Sequence, residues 1–141
     1  MNKTIICLYA PADCGKTKTI RSLFLKLGGD RKLLDGKHDF VSSMNFGNKN
    51  IGFASQGDPY SSQKEDVEGL AKCGHDIIVT ASRSRGGTVD NITDVAEKYG
   101  YSVVWISPFY FNDADYTTED LCLYFAERNA DSIAKYIIDK L

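Results

Sequence analysis

The chain has 141 residues, which is close to the usual size of one domain, and we expect residues 1–141 to fold as a single domain. Its 43% hydrophobic and 26% charged residues are typical of a globular protein. A formal net charge of −2 argues against general binding to nucleic acids or to anionic membranes. Because we find neither a signal peptide nor a long uncharged apolar run, we expect a cytoplasmic protein with no membrane anchor.

The first half of the chain alternates between apolar runs and amphipathic segments. Residues 4–9 form a continuous apolar run, which predicts a strand buried on both faces. A loop over residues 10–15 and a helix over residues 16–27 should follow, with Gly28 ending the helix. Two short strands are predicted near residues 39–44 and 50–55, joined by a turn at Gly47 and Asn48.

The second half continues the alternation. Ser62 and Glu65 have the spacing of a capping box that opens a helix to about Cys73. A strand is predicted over residues 76–81, then a helix capped by Thr88 and ended by Gly100, then a strand over residues 102–106. A long helix should run from about residue 118 to the end. Its predicted buried side chains are Leu121, Tyr124, Phe125, Ile133, Ile137 and Leu141.

Strands that alternate with helices predict an α/β fold. We expect a three-layer α/β/α sandwich with a mainly parallel five-stranded sheet, because right-handed crossovers put helices on both faces. Ligands of such sheets bind at the carboxyl ends of the strands. The loops that follow the predicted strands are therefore the place to look for a site.

The loop after the first strand has the composition of a phosphate-binding loop. Residues 10–17 read APADCGKT, which fits the pattern GxxxxGK[ST] except that Ala10 replaces the first glycine. A glycine at position 15 lets successive backbone N–H groups turn towards one oxyanion, and the positive end of the next helix adds to their effect. Lys16 can reach phosphate oxygens, and the Thr17 hydroxyl can ligate Mg²⁺.

Placed between a buried strand and an amphipathic helix, this segment resembles the Walker A motif of the P-loop NTPase superfamily. The resemblance is specific over the first 27 residues and implies the P-loop NTPase fold, with a bound nucleotide and Mg²⁺. No guanine-reading Asn-Lys-x-Asp motif is present at a suitable position, so we expect ATP, with GTP less favoured. The predicted nucleotide-binding residues are Ala12, Asp13, Cys14, Gly15, Lys16, Thr17 and Lys18.

The resemblance to P-loop proteins implies a second, acidic metal ligand at the end of a neighbouring strand. Asp58 is our first candidate to hold a Mg²⁺-bound water, because it closely follows the third predicted strand. Gln56 or Ser55 could position a nucleophile or the metal. Gly57-Asp58-Pro59 is equally compatible with an ordinary turn. Asp35 and Asp39 are weaker alternatives.

The loop after the fourth strand contains Arg83 and Arg85 and ends in Gly86-Gly87. Arginine offers a bidentate fork to phosphate oxygens, and glycines allow a loop to open and close. This loop looks like the arginine-bearing lid of kinases in the same superfamily. A solvated basic turn is the alternative interpretation.

Three functions remain open at this stage. The first is a kinase-like phosphotransferase that acts on an unidentified small molecule or nucleotide, with Lys16, Asp58, Arg83 and Arg85 as catalytic candidates and Thr17 and Asp58 at the metal. The second is a stand-alone ATPase or GTPase switch that binds a partner. The third is a degenerate P-loop domain that works through its surface. Self-association into a homo-oligomer is compatible with all three.

Overall fold

The structure is a computed structural model that describes residues 3–11, 15–34, 36, 39–59, 61–84, 86–109 and 119–141. Within these residues the chain forms five strands and four α-helices, which alternate except that β3 directly follows β2. The strands are β1 (Thr4–Tyr9), β2 (Val41–Phe46), β3 (Lys49–Ala54), β4 (Ile77–Ser82) and β5 (Ser102–Ile106). The helices are α1 (Lys16–Lys26), α2 (Gln63–Lys72), α3 (Gly87–Tyr99) and α4 (Glu119–Lys140), with a short 3₁₀ turn at Arg31–Leu33.

The five strands form one mixed sheet in the order β2-β3-β4-β1-β5. β1 is parallel to both of its neighbours, β4 and β5, and β3 is parallel to β4. Only β2 runs the other way, as the antiparallel partner of β3 across the turn at Gly47 and Asn48. The predicted α/β class and the mainly parallel five-stranded sheet are therefore confirmed.

Helices cover the sheet on both faces. Ile6 and Leu8 of β1 belong to the same hydrophobic cluster as the buried side chains of α1 and α4. Ile5 and Cys7 alternate with them and belong to a second cluster with α2 and α3. This alternation is the period of two that an extended strand imposes on its side chains. Burial on both faces explains why β1 is an uninterrupted apolar run.

Three phenylalanine rings fix the chain just before β2. The ring of Phe24, from α1, lies 5.5 Å from that of Phe40 and 5.1 Å from that of Phe53, edge to face in each case. Gly29 passes so close to this cluster that an added Cβ would lie 2.4 Å from the Phe24 ring. Since edge-to-face packing is favourable and specific in geometry, the cluster holds Asp39, the residue before Phe40, beside the start of α1.

Two predicted helix caps are wrong. Helix α3 begins at Gly87, and the Thr88 hydroxyl accepts a hydrogen bond from the Arg83 N–H at 3.0 Å instead of capping the helix. At the start of α2, Ser62 donates its hydroxyl proton to the Asp66 carboxylate at 2.8 Å, so no capping box with Glu65 forms. In both cases a competing side-chain or loop partner takes the hydroxyl.

Of the predicted buried side chains of α4, Ile133 and Ile137 are buried, whereas Leu121, Phe125 and Leu141 are only half-buried and Tyr124 is exposed. The fully buried residues of α4 are Ala126, Ala130, Ile133 and Ile137, at alternating spacings of four and three. Tyr124 lies off this stripe and is 54% exposed. Among the described residues, no helix combines the length and the apolar character needed to cross a membrane.

Candidate functional site

A cleft of about 790 Å³ opens at the carboxyl edge of the sheet. Its walls come from the start of α1, the loops after β3 and β4, the segment before β2 and the first turns of α4. This is the edge at which parallel α/β sheets bind their ligands. Of the residues predicted to be functional, the described ones that line the cleft are Gly15, Lys16, Thr17, Lys18, Asp39, Ser55, Gln56, Asp58 and Arg83.

Gly15 makes the turn into α1. Its φ of +78° lies in the left-handed region, where a side chain would be strained. From this position its carbonyl accepts hydrogen bonds from the Thr19 N–H at 2.9 Å and the Thr19 hydroxyl at 2.8 Å. The first turn of α1 contains no acidic side chain, so the positive end of the helix is not neutralised there. Ala12, Asp13 and Cys14 lie outside the described residues.

The Lys16 ammonium lies at the ends of two adjacent strands. Lys16 is 7% exposed, and its Nζ donates to the carbonyl oxygens of Ala10 at 2.5 Å and Ser82 at 2.9 Å. Ala10 follows β1, and Ser82 ends β4. A cation is therefore held by carbonyl dipoles at the centre of the carboxyl edge, beside the start of α1.

Thr17 contacts a carboxylate that the sequence marked only as a weaker alternative. Its hydroxyl donates to Asp39 Oδ1 at 2.8 Å, and the Ser55 hydroxyl donates to the same oxygen at 2.9 Å. Ser55 Oγ in turn accepts the Phe40 N–H at 2.8 Å. The sequence placed Asp39 at the start of the strand predicted near residues 39–44. The turn predicted at Gly47 and Asn48 is the signal that could have located it, because a strand antiparallel to β3 begins at the carboxyl edge.

Two further predicted residues of the cleft, Asp58 and Arg83, contact each other. Arg83 Nε donates to Asp58 Oδ1 at 3.1 Å, which joins the loops after β3 and β4. The Asp58 side chain is 56% exposed, so this ion pair contributes little to stability. Arg85 and Asp35 lie outside the described residues.

The lining of the cleft is cationic although the protein as a whole is acidic. Five basic side chains line it against three carboxylates, whereas the formal net charge of the chain is −2. Such a cleft concentrates anions because the low-dielectric walls focus the field. The basic residues are Lys16, Lys18, Arg21, Arg31 and Arg83, and the acidic ones are Asp39, Asp58 and Glu127.

The carboxyl group of Asp66, in the first turn of α2, has a raised pKa. Burial is the main cause, and the hydrogen bond from Ser62 acts in the opposite direction. The charges of Glu65 and Asp39 raise the pKa further.

Two oxygen-bearing side chains of the kind that a hard cation prefers lie side by side in the cleft. The Thr17 hydroxyl and the Asp39 carboxylate are 2.8 Å apart. Mg²⁺ keeps several waters in proteins and needs few protein ligands. No group of three or more His, Cys, Asp or Glu side chains that could hold a metal occurs within the described ranges.

Sequence reasoning missed a buried glutamine behind the cleft. Gln63 is 1% exposed, and its Nε2 donates to the carbonyls of Ala81 at 2.8 Å and Thr88 at 3.2 Å. Its Oε1 accepts a hydrogen bond from Asn91 Nδ2 at 3.1 Å. Gln63 therefore holds both ends of the segment that carries Arg83. No local pattern identifies such a residue, since its partners lie 18 and 25 residues away.

Comparison of the chain with protein-family models, with curated proteins and with solved structures found no match. The residues that line the cleft, and their geometry, are therefore the observations that bear on function.

Gly57, in the loop after β3, packs closely against strand β4. A Cβ at this position would lie 2.9 Å from Ala81 Cβ and 3.0 Å from the Ala81 carbonyl carbon. We expect Gly57→Ala to lower the free energy of unfolding by about 1–3 kcal/mol, because backbone at Ala81 cannot yield as a flexible side chain would. Urea denaturation measures the change.

Gly69 provides the matched control. It lies within α2, and a Cβ there would meet nothing within 4 Å. Gly69→Ala should leave the free energy of unfolding unchanged or raise it by up to about 1 kcal/mol. Equal effects of the two substitutions would contradict the close approach at Gly57.

Proposed function

We propose that this chain binds a nucleoside triphosphate with Mg²⁺ and transfers its terminal phosphoryl group to a small acceptor, as a kinase of the P-loop NTPase type. The observation that carries the proposal is the convergence of Lys16, Thr17 and Asp39 at the start of α1, in a cationic cleft at the carboxyl edge of the sheet. A glycine in the left-handed conformation precedes them, as a phosphate-binding loop requires.

The cleft suits a nucleotide in size and lining. Its volume of about 790 Å³ falls within the usual range for small-molecule sites. Leu25, Leu34 and Leu123 provide apolar lining that could accept a base. We favour ATP over GTP because the sequence lacks a guanine-reading motif.

In the proposed complex, Mg²⁺ would neutralise charge on the phosphates. Thr17 would ligate the metal through its hydroxyl. Asp39 would accept a hydrogen bond from a metal-bound water, since it already lies within hydrogen-bond distance of the Thr17 hydroxyl. Asp58, our first candidate from the sequence, stays a prediction; the proximity of Asp39 to Thr17 makes Asp39 the stronger assignment.

Two kinds of cation would act on the transferring group. Lys16 would exchange its carbonyl partners for phosphate oxygens, because a charged acceptor forms a stronger hydrogen bond than a neutral one. Arg83 would leave the exposed Asp58 carboxylate for the charge that develops on the phosphoryl oxygens. Arg85, two residues further along, is predicted to assist from the same loop.

A second candidate function is nucleotide hydrolysis without a small-molecule acceptor. Gln56 lines the cleft, and its side-chain amide could orient a water molecule for attack on the terminal phosphate. The chain would then act as an ATPase or GTPase switch.

Lys16→Ala should weaken the binding of MgATP by roughly 10- to 100-fold, because it removes a hydrogen bond to a charged group and such bonds usually contribute that much to affinity. Isothermal titration calorimetry measures this affinity directly. Lys72→Ala is the control, because Lys72 is an exposed residue of α2 whose carboxylate partner is Glu68. Equal affinity in wild type and Lys16→Ala, or no binding by wild type, would contradict the phosphate-binding role.

Asp39→Asn should reduce the affinity for Mg²⁺ in the ternary complex by roughly 10- to 100-fold, as is common for groups that orient metal-bound water. The neutral amide keeps an oxygen that can accept the Thr17 proton, so the fold should be retained. Asp58→Asn is the matched variant, and we expect it to change the Mg²⁺ dependence of ATP binding much less. If only Asp58→Asn loses this dependence, the metal assignment belongs to Asp58.

Release of ADP should depend on an added acceptor. We would screen small molecules that carry hydroxyl or phosphate groups and follow ADP by a coupled assay. Arg83→Ala should lower turnover more than it lowers ATP affinity, because its contact with the phosphoryl oxygens forms in the transition state. Hydrolysis at the same rate with and without acceptors would instead favour the switch.

A further inference from the structure

Strand β2 forms one edge of the sheet and is open to solvent. Among the described residues its only strand partner is β3, with which it pairs over all six residues, Val41–Phe46. Exposed and half-buried residues alternate along it, and Met44 and Phe46 are the ones that pack on the core. The remaining face presents Val41, which is 51% exposed, together with exposed Ser43 and Asn45.

The backbone groups that point away from β3 belong to the same three residues. Phe46 and Lys49 flank a two-residue turn, so they form a hydrogen-bonded pair, and every second residue of β2 repeats that orientation. Phe40 fits the same alternation, because its backbone groups point towards β3. Its carbonyl accepts a hydrogen bond from the Ser55 N–H, and its N–H donates to Ser55 Oγ. The N–H and carbonyl groups of Val41, Ser43 and Asn45 are left on the open edge.

This edge lacks the features that usually prevent pairing with another strand. Val41–Phe46 contains no charged residue and no proline, although 26% of the chain is charged. Its pairing with β3 proceeds residue for residue without a bulge. It is as long as the central strands β1 and β4. Natural sheets protect such edges with charge, proline, bulges or short strands, and β2 has none of these.

We propose that β2 pairs with β2 of a second copy of this chain, in antiparallel register about a two-fold axis at Ser43. A two-fold axis perpendicular to the sheet keeps each side chain on its own face. Residues that lie opposite each other must therefore belong to the same face of β2, which means that both have odd numbers or both have even numbers. Centring the axis on Ser43 opposes Ser43 to Ser43 and Val41 to Asn45. These are the residues whose backbone groups point outward, so all of them find partners.

A second copy matches this edge better than a charged partner would. Neither of the two paired strands contains a charged residue, so no like charges oppose each other within them. Asp39 would lie opposite the turn residue Gly47 of the second copy and away from the second copy's Asp39. Pairing through a two-fold axis uses the same edge on both molecules and closes the assembly, so no filament forms. Val41 would be covered by Asn45 of the second copy on the face that is now exposed.

Single-strand pairing buries a small area, so we expect a dimer with a dissociation constant of roughly micromolar order. Sedimentation velocity over about 1 to 100 µM, without nucleotide, should show wild type shifting from monomer to dimer. Wild type that stays monomeric over this range would overturn the proposal.

Charge substitutions at the opposed positions test the register. Val41→Lys with Asn45→Lys places lysine opposite lysine twice, and we expect the dimer to weaken by at least tenfold. Val41→Lys with Asn45→Glu places lysine opposite glutamate and should retain the dimer. Both positions are exposed in the monomer, so circular dichroism and melting temperature should be unchanged in each variant.

A cross-link provides an independent measurement. Ser43→Cys, combined with Cys73→Ser to remove the one exposed thiol among the described residues, should form a disulfide-linked dimer on mild oxidation, since the two Cα atoms would be about 5.5 Å apart. Cys73→Ser alone is the control. Dimerisation that is equal in the Lys/Lys and Lys/Glu variants, or absence of the Ser43→Cys cross-link, would overturn the β2 contact and place any dimer interface elsewhere.

Discussion

A buried ammonium group at the ends of β1 and β4 is the constraint on which the rest of the site depends. Lys16 is almost fully buried, and an unpaired charge in such a position would be strongly destabilising. The carbonyls of Ala10 and Ser82 compensate it only if the two strands end side by side and α1 starts next to them. The same contacts leave the cation at the cleft, where a phosphate would be a better partner than a neutral carbonyl.

The remaining side chains of the site are held by contacts from behind. The three-phenylalanine cluster places Asp39 beside Thr17, and Ser55 accepts from the backbone of Phe40 while it donates to Asp39. Gln63 bonds to Ala81 and Thr88, on either side of Arg83. These contacts fix the backbone on which Asp39 and Arg83 are carried. The two residues are held by different partners, so their proposed roles can be separated by mutation.

Much of the fold could be predicted because its strongest signals are local. The apolar run of β1, the amphipathic face of α1 and the turn at Gly47 and Asn48 each depend on neighbouring residues, and their positions are confirmed to within about two residues. The errors arose where a local pattern had a tertiary competitor. Thr88 bonds to Arg83, and Ser62 bonds to Asp66, so neither forms the cap that its spacing indicates. Tyr124 is exposed because α4 buries a stripe that starts at Ala126.

By itself the sequence determined the α/β class and the segment that ends in Gly15, Lys16 and Thr17, since strand and helix periods and a glycine-lysine-threonine loop are encoded by adjacent residues. It also directed attention to the loops after β3 and β4. Only the tertiary structure decided where the β2–β3 hairpin lies in the sheet, because a two-residue turn makes its two strands antiparallel but does not fix their place in the strand order. That placement brings Asp39 within 2.8 Å of Thr17, across 22 residues of chain. It also leaves β2, which has no charged residue, at the edge of the sheet.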